Sequence, residues 1–129
     1  MTAKEIITTE KAPKAIGPYS VANRFGDLIY TAGQLGLDPA TLELVSGGVE
    51  AEARQALVKL QHVLVAAGSD MAHVLKTKIF LRDMADFARV NAVYGEFFPA
   101  NPPARSTVAV AGLPKNGSVE IEAVACRAS

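Results

Sequence analysis

Cysteine is nearly absent from this chain of 129 residues, because Cys126 is the only one. A single thiol excludes an intramolecular disulfide, and a zinc site built on cysteine would need ligands that the chain lacks. An excess of charge is also absent, since 13 basic side chains are balanced by 13 acidic ones. Without an overall positive field, binding to nucleic acid or to anionic lipid is disfavoured, and only a local basic patch stays open.

Long apolar runs are missing as well. No segment approaches the roughly 18 to 20 consecutive apolar residues of a membrane span, and residues 1–7 lack the apolar core of a secretion signal. We therefore expect a cytoplasmic protein without a membrane partner. Half of the residues are hydrophobic (50%) and a fifth are charged (20%), which fits a single domain over residues 1–129 with one core.

A first helix is predicted from Val49 or Glu50 to Gly68, because apolar residues recur there at steps of three and four. Gly68 supplies the stop signal. The polar side chains on the other face are expected to lie in water, as suits a helix packed on a sheet. The apolar positions are Ala53, Leu57, Leu60, Leu64 and Ala67, and the polar ones are Glu52, Arg54, Lys59 and Gln61.

A second helix is predicted from Asp86 to Phe98, with Asp86 as its cap and Pro99 just beyond its end. Most of its large apolar side chains fall on one stripe, which Asn91 interrupts. A polar residue at such a place either hydrogen-bonds a neighbouring loop inside the core or lines a site, and both interpretations stay open. The stripe consists of Phe87, Val90, Asn91, Tyr94, Phe97 and Phe98.

Six stretches that carry strand signals and are mostly separated by turn residues are predicted to be strands. Gly26 and Asp27 would close an early hairpin. The economical architecture is an α+β domain, in which a mixed sheet of about six strands carries both helices on one face. The predicted strands are Glu5 to Thr8, Ser20 to Arg24, Leu28 to Thr31, Val74 to Leu81, Arg105 to Ala111 and Val119 to Cys126.

Arg105 and Glu120 are the best candidates for a functional site. A guanidinium binds a small carboxylate through two parallel hydrogen bonds, and a carboxylate held near it moves protons or orients a water. The pair therefore predicts chemistry on a small organic acid. The alternatives are an exposed charge or a structural ion pair for Arg105 and the solvent side of a strand for Glu120. His62 and His73 belong to no nucleophile or metal constellation, so neither is expected to be catalytic.

Alternation along the last two strands predicts which side chains the helices cover. We expect Val108 and Val110 to lie on the side of their strand opposite Arg105 and Thr107, and we place Arg105 and Glu120 on the uncovered face. That face is too apolar to be stable in water, so we expect self-association through it. In the last strand Val119, Ile121, Ala123 and Ala125 should meet the helices, and Glu120, Glu122, Val124 and Cys126 should not.

Several short motifs in a fixed order resemble those of the RidA family, also called YjgF/YER/UK, over nearly the whole chain. Any one of them alone would be weak, but their order makes the resemblance specific. The motifs are Ala12-Pro13, Ala15-Ile16-Gly17-Pro18-Tyr19-Ser20, Thr31-Ala32-Gly33-Gln34, Ala53-Arg54-Gln55-Ala56-Leu57, Asp86-Phe87-Ala88-Arg89-Val90-Asn91 with Tyr94, Pro103-Ala104-Arg105-Ser106, Leu113-Pro114-Lys115 and Ile121-Glu122-Ala123.

This resemblance implies a chorismate-mutase-like (ferredoxin-like) α+β fold and a homotrimer whose sheets pack into a central barrel, with sites in the clefts between subunits. Family members hydrolyse 2-iminobutanoate, 2-iminopropanoate and their enamine tautomers to 2-oxo acids and ammonia, without a metal or an organic cofactor. Two other activities ascribed to relatives stay open: an RNA-cleaving translation inhibitor, and a non-catalytic trimer that binds small acids or acts like a chaperone.

The resemblance also implies roles for particular residues. Arg105 and the backbone N–H of Gly33 would hold the substrate carboxylate, and Glu120 would orient or activate the attacking water. Thr107 would offer its backbone carbonyl to that water or to the substrate nitrogen. Ala32 stands where many members have serine, so a proton relay through a hydroxyl at that position is in doubt. The residues expected to line the pocket are Tyr19, which otherwise reads as a packed turn residue, and Asn91.

Overall fold

The computed structural model describes residues 3–128. Two helices, α1 (Val49–Ala66) and α2 (Phe87–Phe97), pack against each other on one face of a seven-stranded sheet. Among these residues neither helix combines the length and the apolar character needed to cross a membrane. The strands are β1 (Glu5–Ile7), β2 (Ala22–Phe25), β3 (Leu28–Thr31), β4 (Gln34–Leu35), β5 (Val74–Leu81), β6 (Ala104–Ala109) and β7 (Val119–Cys126).

The sheet has the order β1-β2-β3-β7-β5-β6, and the short β4 pairs with β7. All pairs are antiparallel except β5 with β6, which are parallel because α2 makes the crossover between them. The predicted α+β class, with a mixed sheet and both helices on one face, is therefore confirmed. The hairpin between β2 and β3 also turns at Gly26 and Asp27, where Gly26 has a φ of 60°. Only β4 was not predicted, since two residues cannot show an alternating pattern.

β7 lies at the centre of the sheet, between β3 and β5. Every second residue is buried and the others are half-buried, so one side of the strand contacts the helices as predicted. The helix α1 supplies the other half of this core with side chains that have no exposed surface. The buried residues of β7 are Val119, Ile121, Ala123 and Ala125, and those of α1 include Ala53, Leu57, Leu60 and Leu64.

The start of α2 differs from the prediction in one detail. Asp86 stands at the cap position, but its side chain makes no capping hydrogen bond and pairs with Arg89 instead. Asp83 caps the short helical turn that precedes α2, because its carboxylate accepts the N–H of Ala85 at 2.9 Å. The aspartate one turn earlier therefore provides the start signal.

Two charged residues of α1 are buried, which corrects the expectation that Glu52 and Lys59 face water. Glu52 is 7% exposed, and its Oε1 accepts the backbone N–H of Ser118 at 2.8 Å. Lys59 is 1% exposed, and its Nζ has no hydrogen-bond partner among the described residues. Helical periodicity separates two faces but does not show that a loop covers the polar one. Here the loop around Leu37 covers it, and its carbonyl accepts a hydrogen bond from Gln55 of α1 at 3.1 Å.

The orientation of β6 is also opposite to the prediction. Arg105 pairs with the fully buried Thr77 of β5, and Thr107 pairs with Ile79, which is 1% exposed. Paired residues point to the same face of a sheet, so Arg105 and Thr107 lie on the face that the helices cover. Val108 lies on the uncovered face and is 45% exposed. Alternation shows which residues share a face, but on this edge strand the apolar side is the open one.

We predict that Lys59 destabilises the fold at neutral pH. Burial lowers its pKa from 10.5 to about 8, while Asp38 opposes the shift. Below about pH 8 the folded protein must hold a desolvated cation, so stability rises between about pH 8 and 10.5, where only the unfolded chain keeps the proton. Lys59→Met should raise the free energy of unfolding at pH 7 by roughly 1 to 3 kcal/mol, and by less at pH 10.

Urea denaturation at both pH values measures this effect. The matched control is Lys11→Met, because Lys11 is exposed and its replacement should change stability little at either pH. A Lys59→Met protein that is less stable than the wild type at pH 7 would contradict the prediction.

Candidate functional site

Arg105 lies on the edge strand β6 and leans against α2. Its Nη1 donates a hydrogen bond to Oδ1 of Asn91 at 2.7 Å. Its guanidinium carbon lies 4.9 Å from the ring centre of Tyr94 and 5.5 Å from that of Phe87. These three residues of α2 are spaced by four and three, so they line one side of the helix. An amide oxygen and two aromatic rings therefore surround the cation.

No carboxylate pairs with Arg105 among residues 3–128, although other arginines of the chain form ion pairs. Aromatic rings attract a guanidinium without neutralising its charge, and the amide of Asn91 is neutral. This excludes the structural ion pair within the described part of the chain as an explanation of Arg105. The site keeps a full positive charge at the edge of the sheet, and a small anion would complete it.

Glu120 lies on the uncovered face of β7, directly against Gly33. A Cβ added to Gly33 would be 2.7 Å from Cδ of Glu120, so only glycine leaves room for the carboxylate in this position. The contact follows from the pairing of β4 with β7, in which Leu35 lies opposite Glu120. Burial, and next the repulsion by Glu122, raise the pKa of Glu120 above its usual value of 4.5. A carboxylate held in this way accepts a proton more readily than an exposed one.

Arg105 and Glu120 do not meet within one chain. Glu120 pairs with Phe80 and Phe80 with Val108, whereas Arg105 is three residues before Val108 on β6. Two strand spacings of about 4.8 Å and three residues of about 3.3 Å put their Cα atoms on the order of 14 Å apart. Their side chains also point to opposite faces, so the prediction that they share a face is wrong.

The remaining predicted residues divide between these two regions and a third. Asn91 joins Arg105 through its amide, and Thr107 lies on the same face, where its Oγ1 is buried without a hydrogen-bond partner among the described residues. Tyr19 is 54% exposed and lines a separate groove, formed by the segment around β1 and the loop after β4. The predicted substrate contacts of Tyr19 and of the Gly33 N–H stay predictions.

Sequence reasoning missed the role of the aromatic residues beside Arg105. The stripe predicted for α2 includes Phe87 and Tyr94, and the structure adds that both rings face the guanidinium. The signal was present, because Asn91 interrupts that stripe between them. In this chain Asn91 and the aromatic residues four before and three after it lie on the helix face that meets the guanidinium.

Among the residues that the structure describes, no three or more His, Cys, Asp or Glu side chains lie close enough to hold a metal ion. The two histidines lie elsewhere: Nδ1 of His73 is 2.7 Å from Oδ1 of Asp70, and Nδ1 of His62 is 3.4 Å from the carbonyl oxygen of Lys11. Neither histidine touches Arg105 or Glu120. The arrangement offers a cation for binding and a carboxylate for proton transfer, on two separate surfaces.

Comparison with known proteins assigns the chain to a family. Residues 9–127 match the family described as Endoribonuclease L-PSP. A Bos taurus protein named 2-iminobutanoate/2-iminopropanoate deaminase is 52% identical over 122 residues, which cover 95% of this chain and 89% of that protein. The Homo sapiens protein of the same name is 50% identical with the same coverage.

The fold has close counterparts among solved structures. The crystal structure of Escherichia coli TdcF with bound serine superimposes with a TM-score of 0.91 at 41% sequence identity, and the match covers 96% of this chain and 99% of that one. A family match over almost all of the chain, relatives at about half identity and the same fold agree with one another. The chain belongs to the Endoribonuclease L-PSP family, also known as the YjgF/RidA family.

Proposed function

We propose that this protein hydrolyses 2-iminobutanoate, 2-iminopropanoate and their enamine tautomers to 2-oxo acids and ammonia. The observation that carries the proposal is the guanidinium of Arg105, which has an amide and aromatic rings around it and no acidic partner among residues 3–128. Such a group fits the carboxylate that all these substrates share. The mammalian relatives at about half identity are named for this reaction.

For this reaction the protein needs only to position the substrate and a water and to transfer protons. Arg105 binds the substrate carboxylate through Nε and Nη2, since Nη1 already donates to Asn91. The carbon of a protonated imine is electrophilic. The oxygen of the attacking water bonds to that carbon while Glu120 takes a proton from the water. Glu120 then passes this proton to the nitrogen of the resulting carbinolamine. As the C–N bond breaks, the hydroxyl becomes a carbonyl, its proton goes to the departing ammonia, and Glu120 is left as the carboxylate it began as.

The geometry supports a site that two copies of the chain build together. A four-carbon acid is too small to reach both Arg105 and Glu120 when they lie on opposite faces of one sheet. The Arg105 region is at the open edge of β6, where the surface of a neighbouring copy has access to it. We assign Arg105 and Asn91 to one subunit and Gly33 and Glu120 to the next, in a homotrimer with a site at each interface.

The uncovered face of the sheet supports the same assembly. Large apolar side chains remain exposed on it, as expected of a surface that a second copy covers. Tyr19, exposed in its own groove, and the backbone carbonyl of Thr107 would join the site in the assembled protein. The exposed apolar residues of the uncovered face are Ile6, Phe25, Leu28, Tyr30 and Val108.

The two other candidate activities have less support. The family description includes endoribonuclease, but the chain has no net charge and neither histidine contacts the candidate site. RNA cleavage that survives replacement of Arg105 and Glu120 would show that such an activity lies elsewhere. A non-catalytic role would appear as binding of a 2-oxo acid without turnover of any imine.

Arg105→Ala should lower kcat/KM for an imine by at least about 100-fold, because it removes a charge-assisted, two-point contact. Arg105→Lys should keep part of the activity, since lysine retains the charge but not the fork geometry. The assay follows 2-oxo acid formation from the imine that a threonine dehydratase or an amino-acid oxidase releases.

The control for this variant is Arg54→Ala. It removes the same charge from an exposed ion pair between Arg54 of α1 and Glu96 of α2. It should leave kcat/KM within about twofold of the wild type. Normal activity in Arg105→Ala would refute the assignment of the carboxylate contact.

The activity should fall as the pH drops through the raised pKa of Glu120, because only the carboxylate accepts the proton of water. Glu122→Gln removes a repelling charge, so the pKa of Glu120 should decrease and the acid limb of kcat/KM should move to lower pH. Glu43→Gln removes an exposed charge in a loop and should not move the limb. If the acid limb of the pH profile of kcat/KM is the same in Glu122→Gln and the wild type, this role of Glu120 is contradicted.

Analytical ultracentrifugation at micromolar concentration should give about three times the chain mass of 13.6 kDa. Tyr30→Glu places a charge on the uncovered face, where Tyr30 is 50% exposed, and should yield inactive monomer. Val65→Glu, at 59% exposure on α1, should stay trimeric and active. A monomeric mass for the active wild-type protein would refute the shared site.

A further inference from the structure

Tyr94 connects the Arg105 side chain to the strand beside it. The Tyr94 hydroxyl lies 2.6 Å from Oγ1 of Thr77, and both side chains are buried, with 5% and 0% exposure. Thr77 is the direct cross-strand partner of Arg105 in the pairing of β5 with β6. The Tyr94 ring lies 4.9 Å from the guanidinium carbon. The hydroxyl therefore holds the ring at a defined place under the side chain of Arg105.

This contact orders Arg105 without consuming its charge. A long arginine side chain loses rotamer freedom when it binds a ligand, and a fixed aromatic ring removes part of that loss in advance. The face of the ring attracts the cation, while an acidic residue at the same place would compete with a ligand carboxylate. With Asn91 on Nη1, the ring leaves the Nε and Nη2 edge for the ligand.

Tyr94 takes no part in proton transfer in this arrangement. Burial raises the pKa of its phenol, and the hydrogen bond with Thr77 and the charge of Arg105 oppose that shift only in part. The hydroxyl is also engaged with Thr77 in the core, away from any ligand. The Tyr94 ring and its hydrogen-bond partner Thr77 therefore affect a ligand only through the position of Arg105.

We infer that Tyr94 is a positioning residue for Arg105 and that its hydrogen bond with Thr77 sets the affinity of the site for 2-imino and 2-oxo acids. This inference rests on the proposed function, because it assigns the carboxylate to Arg105. Tyr94 and Thr77 do not touch the reacting atoms, so their replacement changes binding more than the chemical step.

The experiment measures KM and kcat for the imine, and the dissociation constant of 2-oxobutanoate by isothermal titration calorimetry. Tyr94→Leu should raise KM and the dissociation constant by about tenfold, with kcat within about threefold. Tyr94→Phe and Thr77→Val keep the ring but break the hydrogen bond, so each should raise KM and the dissociation constant by about threefold. Thr77→Ser keeps the hydroxyl and should leave both values close to those of the wild type.

Two controls separate positioning from a general loss of structure. Val93→Ala opens a cavity on the same helix, at a residue that is 4% exposed, and should lower the Tm without raising the dissociation constant. In an Arg105→Ala background, Tyr94→Leu should have no further effect on binding, since the group that it positions is gone.

Failure of this inference is distinguishable from failure of the proposed function. Suppose that the wild type converts the imine, but that the three variants bind 2-oxobutanoate no more weakly than Val93→Ala does. The inference is then wrong and the deaminase assignment stands. The three variants are Tyr94→Leu, Tyr94→Phe and Thr77→Val. If the wild type binds 2-oxobutanoate without converting imines, the deaminase assignment falls and the dissociation constants still decide the role of Tyr94. A wild type that neither binds nor converts overturns both.

Discussion

The two-residue alternation of β7 at the centre of the sheet is the constraint on which the rest of the structure depends. One row of its side chains forms the floor of the core beneath α1, and the other row includes Glu120 and Glu122. A shift of the strand by one residue would bury two carboxylates and expose the core, so the register with β3 and β5 is strongly determined. That register also brings β4, and with it Gly33, against the Glu120 carboxylate.

The same sheet geometry keeps the charges of Arg105 and Glu120 apart. Arg105 pairs across the strands with Thr77 and therefore lies on the helix side, whereas Glu120 pairs with Phe80 and lies on the open side. Arg105 has no acidic partner among residues 3–128, and the desolvation of its cation costs less free energy at the sheet edge, where it is half-buried, than it would in the core. In the proposed shared site one ligand contacts both charges, which are too far apart within one copy. Assembly of copies would complete that site and would also cover the exposed apolar face.

The buried charges of α1 show how a polar pattern can mislead. Glu52 and Lys59 follow the period of a solvent-facing helix surface, yet both are covered by loops. The burial of Glu52 is compensated, because its carboxylate accepts a hydrogen bond from the backbone N–H of Ser118, just before β7. Lys59 has no such partner among the described residues and loses part of its proton affinity instead.

Local periodicity in the amino-acid sequence correctly predicts the α+β class, both helices, the buried row of β7 and every strand of the described sheet except β4. The chemistry of Arg105 and Glu120 on predicted strands identified that pair as candidates, and the family resemblance added Gly33 and gave Asn91 a role in the pocket. Three features became visible only in the folded chain: Arg105 faces α2, Tyr94 and Phe87 surround its guanidinium, and Glu120 lies on the opposite face. Periodicity shows which residues share a side, but which side meets the helices depends on pairing partners distant in the sequence.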